Sequence, residues 1–448
     1  MTTTIAHLRN AFAIRGHPRA TARDVADFRD RQLRRVVQHA YRTVPYYRRL
    51  YDEHGVNPNL VRGAGDMPSL PAVTKTHFRS APEIDRVALG LDPELLISAA
   101  SSGSSGRPFM IRRSWLEQNV LHLLRLRALR AYGIGRSERT LNILNPKSVH
   151  ALDNKRLGKT LVALKLQTDS RRVSIHLDPE KIAEAVRACR PAMLSGYPNM
   201  LARVSEVLQR NPVMPPSIRV ALTGAETLTP ALRSRIEKGL GVQVRDQYGS
   251  NECNLMAWEC PLGGPMHVCD DSVLLEVVAP DGARVAPGER GEVLVTALHT
   301  FTMPLIRFRI GDMAEQGEAL CACGAPFSTI TGVMGRMIDM FPLPDGRVIH
   351  AYYLTETLIM DDPDWIESFQ LTQHRVDRIT MQIVPRRPPN PSRIEAIRAL
   401  GAQLLGPGVE FELAIVESIP SDPSGKFRPA RSLVTSSYDG VLAEAGVP

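Results

Sequence analysis

The stretch from Arg245 to Cys253 carries side chains that could serve nucleotide chemistry. In it Gly249 follows Tyr248, and Glu252 comes a few residues later. An aromatic face beside a flexible glycine suits a flat heterocycle, and a nearby carboxylate suits a hard cation such as Mg²⁺ beside phosphates. A Tyr-Gly pair is more often an ordinary turn, so the functional interpretation depends on other stretches of the chain.

A second stretch, Leu95 to Pro108, leads an apolar run into six small residues. Such a loop can turn backbone N–H groups and hydroxyls toward phosphate oxygens without side-chain bulk in the way. It lacks the Gly-Lys-Ser/Thr ending of a Walker A loop. A flexible linker is the alternative, but the apolar sequence that resumes at Phe109 favours a phosphate loop. The loop consists of Ser101, Ser102, Gly103, Ser104, Ser105 and Gly106.

Lys426 stands out because this chain strongly prefers arginine. Only eight of the 55 basic residues are lysines, and Lys426 is the only lysine after Lys238. A compact ammonium on a flexible stem suits a mobile charge aimed at a reacting phosphate better than a planar guanidinium does. A solvated surface lysine is the alternative.

Cysteine spacing indicates a metal site. Five of the six cysteines lie between Cys253 and Cys323, and the chain shows no secretion signal that would favour disulfides. Cys260, His267, Cys321 and Cys323 offer the donors of a closed tetrahedral zinc site. Cys253 is a competing ligand, and packing of small side chains is the alternative for all six. We predict a structural zinc ion.

Size and composition set the protein class. A chain of 448 residues with 43% hydrophobic and 23% charged residues predicts a globular protein of two or three domains. The net charge of +8 is spread along the chain, which fits a polyanionic small molecule as well as nucleic acid. No long apolar run or targeting segment is evident, so we expect a cytoplasmic protein without membrane contact.

Strand, glycine loop and helix alternate in the first half of the chain, which predicts a parallel α/β sheet. Tyr248 and Gly249 are expected at the carboxyl end of a strand, where open α/β sheets bind ligands. Helices are predicted over 27–44, 115–133, 178–190, 200–209 and 230–240, and strands within 192–198, 217–226 and 241–244. Tyr46, Tyr47 and Tyr51 are predicted to be packing residues.

After Cys253 the pattern changes to short strands with tight turns, which predicts an antiparallel or barrel-like subdomain over about 253–330 that carries the zinc site. Farther along, strands at 378–384 and 409–416 flank a helix at 392–405, which predicts a small α+β domain. The predicted organisation is an α/β amino-terminal domain of several subdomains (1–335), a hinge (336–340) and a small mobile carboxyl-terminal domain (341–448).

Taken together, these stretches resemble the adenylate-forming superfamily of acyl-CoA ligases and adenylation domains, most closely its phenylacetate-CoA ligase branch. The matching motifs, in chain order, are the phosphate loop (Ser101 to Pro108), the adenine-side loop (Gly224 to Glu226), the Tyr-Gly-X-Thr/Ser-Glu motif (Asp246 to Glu252), the Tyr-Arg-Thr-Gly-Asp motif (Arg307 to Asp312), the hinge (Gly335 to Asp339) and the carboxyl-terminal lysine motif (Ser424 to Lys426). Some members of this branch also carry a similar Cys…His…Cys-X-Cys set.

The resemblance implies a role for each motif. The loop from Ser101 to Gly106 would hold the β- and γ-phosphates, Glu252 would bind Mg²⁺ and Lys426 would bridge the attacking carboxylate and the α-phosphate. Asp339 would be the pivot of domain rotation. The nucleoside would be enclosed by Gly224, Ala225, Glu226, Asp246, Gln247, Tyr248, Gly249 and Ser250, with Asp312 on the ribose and Arg336 nearby. The acid pocket would include the Tyr197-Pro198 region.

The implied reaction is ATP-dependent formation of an acyl-adenylate, followed by transfer to a nucleophile. Coenzyme A is the expected acceptor, and an amine or a carrier-protein thiol stays open because Pro342 and Pro344 replace the usual sequence after the hinge. Arg107 and Asn251 are further departures from the family pattern. The implied substrates are a small carboxylic acid and ATP, with coenzyme A or a carrier protein as acceptor. The chain could also pair with a second copy of itself as a homodimer. A basic zinc-containing nucleic-acid-binding protein is the alternative of another class, but clustered basic and aromatic residues are missing.

Overall fold

The structure of the chain is a computed structural model. It describes residues 20–100, 109–135, 138–145, 169–210, 217–336, 340–359, 365–422 and 426–434. None of the helices within these ranges is both long enough and apolar enough to span a bilayer.

The described residues form ten α-helices and nineteen strands. The helices are α1 (Ala22–Thr43), α2 (Pro45–Glu53), α3 (Lys75–Ser80), α4 (Glu83–Arg86), α5 (Trp115–Ala131), α6 (Pro179–Cys189), α7 (Pro198–Arg210), α8 (Pro230–Leu240), α9 (Ala351–Ile359) and α10 (Pro391–Leu405). The strands are β1 (Ile97–Ala100), β2 (Met110–Arg113), β3 (Arg139–Leu144), β4 (Asp169–Ser174), β5 (Met193–Gly196), β6 (Val220–Gly224), β7 (Gln243–Ser250), β8 (Asn254–Glu259), β9 (Met266–Val268), β10 (Val273–Val278), β11 (Arg290–Ala297), β12 (Phe308–Gln316), β13 (Thr329–Arg336), β14 (Met340–Pro342), β15 (Val348–His350), β16 (Ile366–Arg375), β17 (Arg378–Pro385), β18 (Glu410–Ile415) and β19 (Ala430–Ser432).

Local sequence sets the ends of the first helices. Thr21 and Asp24 form a capping box that starts α1, and the helix ends just before Pro45, whose ring nitrogen has no hydrogen to donate. Pro45 instead opens α2, where a proline is tolerated in the first turn. The tyrosines of α2 are buried, and Tyr47 and Tyr51 are fully enclosed in the largest hydrophobic cluster, so their predicted packing role is confirmed.

An eleven-stranded sheet organises the larger part of the chain, in the order β10-β11-β12-β13-β9-β8-β7-β6-β5-β3-β4. The strands from β4 to β7 pair in parallel. Side chains of α6, α7 and α8 form one buried cluster with apolar residues of this parallel part. The predicted α/β class with a parallel sheet is therefore confirmed.

The sheet changes direction at β7, which pairs in parallel with β6 and antiparallel with β8. The antiparallel strands predicted after Cys253 continue this same sheet. Pairing with β8 extends β7 to Ser250, so Tyr248 and Gly249 lie in the last three residues of the strand, at its carboxyl end as predicted. Gly249 is required there, because a Cβ atom on it would lie 2.6 Å from the Asn254 carbonyl oxygen.

The chain divides into two compact units, each with its own core. The second unit comprises Met334–Pro448 together with Thr229–Ala231 and Gly311–Met313, and the first unit comprises the remainder. In the second unit a four-stranded sheet has the order β18-β17-β16-β19, and its apolar residues form a core with residues of α9 and α10. This α/β sheet agrees with the predicted carboxyl-terminal fold class.

Candidate active site

The predicted phosphate loop connects two paired strands. Residues 101–106 lie outside the described residues, whereas β1 and β2 on either side form an antiparallel hairpin in which Ala100 pairs with Met110. The ends of the loop are therefore held together by the hairpin. Holding both ends of a loop lowers the entropy cost of binding a ligand, so the hairpin favours a binding loop over a flexible linker, the alternative interpretation of this stretch.

Arg113 connects this hairpin to the segment that carries Glu252. The arginine lies at the end of β2 and is only 3% exposed. Its Nη2 atom is 2.5 Å from the Asn251 carbonyl oxygen and 2.6 Å from the Glu252 carbonyl oxygen. Burial lowers the pKa of Arg113. Arg113 thus fixes the backbone at Glu252 relative to the end of the hairpin away from the predicted phosphate loop, where it pairs with Ile97.

Glu252 forms an ion pair with Lys75 that the sequence did not predict. The carboxylate is 3% exposed, and its Oε1 atom lies 2.9 Å from the Lys75 Nζ atom. Lys75 is the first residue of α3, which Thr74 caps by accepting a hydrogen bond from the His77 N–H. The rarity of lysine in this chain was the only sequence signal that could have drawn attention to Lys75.

The two predicted nucleoside segments lie side by side at the carboxyl ends of β6 and β7. The parallel register pairs Thr223 with Asp246 and Gly224 with Gln247. The Thr223 hydroxyl donates to the Asp246 carboxylate at 2.6 Å. Tyr248, two residues farther along β7, is buried. The structure therefore brings together the segments 224–226 and 246–248, as the predicted nucleoside site requires.

The loop after β6 has an unusual backbone that a neighbouring helix supports. Ala225 has a φ of 69°, a left-handed conformation that non-glycine residues adopt rarely. The following residue, Glu226, accepts hydrogen bonds from the backbone N–H and the side-chain amide of Asn199 at 3.4 and 3.2 Å. Asn199 lies in the first turn of α7, next to the predicted acid-pocket region Tyr197-Pro198. Strained backbone of this kind often accompanies functional loops.

We predict that Asp246 makes stability depend on pH. Burial raises the pKa of Asp246 from 3.8 to about 6. Its contribution to stability is present below the unfolded-state pKa and is lost as the pH rises through the folded-state value. Asp246→Asn should remove this loss. Between about pH 4 and pH 7 the free energy of unfolding of the variant should therefore rise relative to wild type by on the order of 2 kcal/mol. Urea unfolding at several pH values measures this difference, and parallel pH profiles would contradict it.

The remaining predicted site residues lie in or near the second unit. Asp312 is in β12 and follows Gly311, whose φ of 88° favours glycine. Arg336 ends β13, but its side chain, like the whole of Asp339, is outside the described residues. Lys426 is partly buried, and its backbone makes two hydrogen bonds with Asp422. The Lys426 N–H donates to the Asp422 carboxylate at 3.2 Å, and the Asp422 N–H donates to the Lys426 carbonyl oxygen at 2.9 Å.

The four predicted zinc ligands come together in the first unit. One donor atom from each of Cys260, His267, Cys321 and Cys323 lies within 4.8 Å of the others. The Cys321 and Cys260 Sγ atoms are 3.8 Å apart, and the Cys323 Sγ atom is 3.3 Å from His267 Nε2. Cys253 lies elsewhere, beside Arg113 and Glu252, and is not part of this cluster.

The chemistry of this cluster fits zinc. Three thiols and one imidazole are a common donor set of structural zinc sites. Burial lowers the pKa of His267 to about 4, so the imidazole is neutral at physiological pH and has a lone pair for a metal. The ligands come from the end of β8, the middle of β9 and the loop between β12 and β13, so a metal ion there would cross-link three segments.

Comparison with known proteins agrees with these observations. The chain is 30% identical over 311 residues to phenylacetate-coenzyme A ligase of Escherichia coli (strain K12), covering 66% of this chain and 68% of that protein. It is 28% identical over 371 residues to phenylacetate-coenzyme A ligase of Thermus thermophilus, covering 77% of each. Residues 342–432 match the model of the CapK C-terminal domain. A crystal structure of 2-hydroxyisobutyryl-CoA ligase in the postadenylation state with R3-HIB-AMP has a TM-score of 0.75, with 19% identity, over 97% of this chain and 94% of that one.

The chain belongs to the adenylate-forming ligase superfamily. Within that superfamily it is an enzyme of the AMP-forming acid-CoA ligase family, related to the phenylacetate-CoA ligases. The predicted superfamily and enzyme class are thus confirmed.

Proposed function

We propose that this enzyme activates a carboxylic acid with ATP as an acyl-adenylate, releases pyrophosphate, and then transfers the acyl group to the thiol of coenzyme A. The observation that carries the proposal is the Arg113 contact, which fixes Glu252 relative to the hairpin that bears the small-residue loop. Tyr248 lies near the end of β7, shortly before Glu252 on the same segment. Groups suited to phosphate, metal and nucleobase therefore come from one part of the first unit.

Each predicted site residue keeps its role in this proposal. The loop from Ser101 to Gly106 binds the β- and γ-phosphates. Segments 224–226 and 246–250 enclose the adenine, with Tyr248 against its face. Asp312 binds the ribose hydroxyls, with Arg336 nearby. Glu252 is the ligand for Mg²⁺, which when bound would neutralise charge on the phosphates.

The first half-reaction joins two anions. A carboxylate oxygen of the acid forms a bond to the α-phosphorus, and the bond from that phosphorus to the bridging oxygen of pyrophosphate breaks. The chain must therefore neutralise charge and hold the reactants in line, and it needs no covalent intermediate with the protein. Lys426 supplies a positive charge to both the attacking carboxylate and the α-phosphate. An ammonium can contact both because it is a compact charge with three donors.

The second half-reaction requires a change of conformation in our proposal. The small carboxyl-terminal domain rotates about Asp339 after the adenylate forms, so that the acceptor thiol can reach the acyl carbon. Motions that open or close an active site commonly separate two steps of one enzyme. Release of AMP then leaves the acyl group on coenzyme A. The names of the phenylacetate-coenzyme A ligase relatives support this acceptor.

We also propose that the cluster of Cys260, His267, Cys321 and Cys323 binds structural zinc. The support is the spacing of the donor atoms, which lie within 4.8 Å of one another. The ion would join β8, β9 and the loop before β13 in the predicted barrel-like part of the first unit. Three cysteines and one histidine leave no open coordination position, so the proposed zinc has no part in the reaction.

An assay of pyrophosphate release across a panel of carboxylic acids tests the proposed function. We expect release that depends on both ATP and one class of acid. Adding coenzyme A should then convert the adenylate to a thioester and release AMP. If no thioester forms but added amines give amides, the acceptor is an amine. If no thioester forms but a carrier protein is loaded, the acceptor is the thiol of that protein. No acid-dependent release, together with binding to nucleic acid that weakens steeply with salt, would instead support the nucleic-acid-binding alternative.

A further inference from the structure

The ion pair between Lys75 and Glu252 occupies the carboxylate to which the proposed function assigns Mg²⁺. We propose that Lys75 competes with the divalent cation for Glu252, so that the cation binds well only together with a polyphosphate that accepts the Lys75 ammonium. This inference rests on the proposed role of Glu252. It assigns to Lys75 the coupling between nucleotide binding and metal binding.

The surroundings of Lys75 hold it next to Glu252. Two residues before it, Val73 accepts a hydrogen bond from the Arg309 N–H at 2.9 Å and donates one to the Arg307 carbonyl oxygen at 3.0 Å. Val73 thereby joins the start of β12 as an isolated parallel bridge with Phe308. Phe78, on α3, is fully buried in the main hydrophobic cluster. The backbone is therefore fixed on both sides of Lys75, while its flexible side chain can change partner.

The two members of the pair differ in exposure. The Glu252 side chain is 3% exposed, whereas the Lys75 side chain is 26% exposed. A buried carboxylate is stabilised by a positive charge in direct contact, and the Lys75 ammonium makes that contact with Glu252. Because the ammonium is the more accessible member, it can turn toward a ligand arriving from solvent while the carboxylate stays in place.

Arg113 cannot make the same exchange. Its guanidinium is committed to the carbonyl oxygens of Asn251 and Glu252, and Arg113 is as buried as the glutamate. Arg113 therefore positions the backbone, and Lys75 neutralises the carboxylate. A lysine suits a change of partner because its charge is compact and its donors are not held in a fixed plane.

Charge balance explains why the cation and the nucleotide should bind together. A divalent cation at Glu252 would displace the ammonium and leave two cationic groups close to each other. A polyphosphate removes this conflict because its oxygens can accept the ammonium and also bind the cation. Coupling of this kind must be reciprocal.

Binding of Mn²⁺, measured by its electron paramagnetic resonance signal, tests the inference without any turnover. The probes are Mn²⁺ alone and Mn²⁺ with α,β-methylene-ATP, which cannot release pyrophosphate. Wild type should bind Mn²⁺ weakly alone and much more tightly with the analogue. Lys75→Met should strengthen binding of Mn²⁺ alone by at least about tenfold, because the ammonium then no longer competes with the metal for the buried carboxylate. The gain in Mn²⁺ affinity on adding the analogue should shrink by a similar factor.

Three matched variants make the result specific. Lys75→Arg keeps the charge and should keep weak binding of Mn²⁺ alone. Lys181→Met removes an exposed lysine of α6, whose Nζ atom lies 4.0 Å from Oδ2 of Asp178, and this variant should behave as wild type. Glu252→Gln should remove the tight Mn²⁺ site both in wild type and in Lys75→Met.

The possible outcomes separate this inference from the proposed function. Equal Mn²⁺ affinities and equal coupling in wild type and Lys75→Met would overturn the role of Lys75. If Glu252→Gln still abolished tight binding in that case, the proposed metal role of Glu252 would stand. Tight Mn²⁺ binding with the analogue in Glu252→Gln would refute both. An increase in Lys75→Arg as large as that in Lys75→Met would also overturn the inference, because charge would then not be the cause.

Discussion

Replacing Lys426 by alanine is expected to slow acid-dependent pyrophosphate release by about 10²- to 10³-fold, the usual effect of removing one group that stabilises transition-state charge. The physical reason is that the reaction brings a carboxylate against a phosphate, and Lys426 is proposed to neutralise both. Because Lys426 lies in the second unit and its charge is needed mainly in the transition state, ATP affinity should change by less than about threefold. Initial rates of pyrophosphate release and equilibrium binding of ATP measure the two effects.

Two controls limit the interpretation of the Lys426 result. Lys426→Arg keeps the charge but has a planar donor group, so it should recover only part of the rate. Lys238→Ala removes an exposed lysine at the end of α8 and should retain the wild-type rate. If Lys426→Ala were as active as wild type, Lys426 would have no part in the chemistry.

Removing the proposed zinc is expected to lower the temperature of thermal unfolding by about 10 °C. A shift of this size requires that the ion stabilise the first unit by roughly 7 kcal/mol, because about 1 kcal/mol corresponds to roughly 1.5 °C at an unfolding entropy of about 2.1 cal/mol/K per residue. The reason is that the metal would fix the loop that carries Cys321 and Cys323 to the paired strands β8 and β9. Cys323→Ser should have the same effect as a chelator, and metal analysis should then find less than one zinc per chain.

Cys189 provides the matched control for this experiment. It is a partly exposed cysteine at the end of α6, outside the cluster. Cys189→Ser should therefore keep both the zinc and the unfolding temperature. Purified protein with no bound zinc would defeat the zinc proposal, whatever the effect of the cysteine variants on stability.

Periodic patterns in the sequence predicted most helices and strands of the sheet, but not its switch at β7. The apolar run at 241–244 predicted this strand, with Tyr248 and Gly249 at its carboxyl end. The strand continues to Ser250 because β8 pairs with it in the antiparallel direction. That pairing depends on a fold-back at Glu252 and Cys253, which local hydrophobicity does not reveal. Strand β16 was not predicted either. It is defined by its pairing with β17 on one side and β19 on the other, which local hydrophobicity does not reveal.

The candidate site was predictable where one motif carries one chemical function. The spacing of Cys260, His267, Cys321 and Cys323 was enough to nominate four residues that the structure brings together. Lys75 could not be found in this way. Its contact with Glu252 joins segments that are distant in the chain, and such contacts leave no local pattern in the sequence.

A crystal structure with Mg²⁺ and α,β-methylene-ATP tests the central claim most directly. We predict one bound nucleotide, with its β- and γ-phosphates on residues 101–106, the adenine against Tyr248, the metal on Glu252 and the ribose on Asp312. A nucleotide bound elsewhere, with these residues facing separate cavities, would contradict the proposed activity.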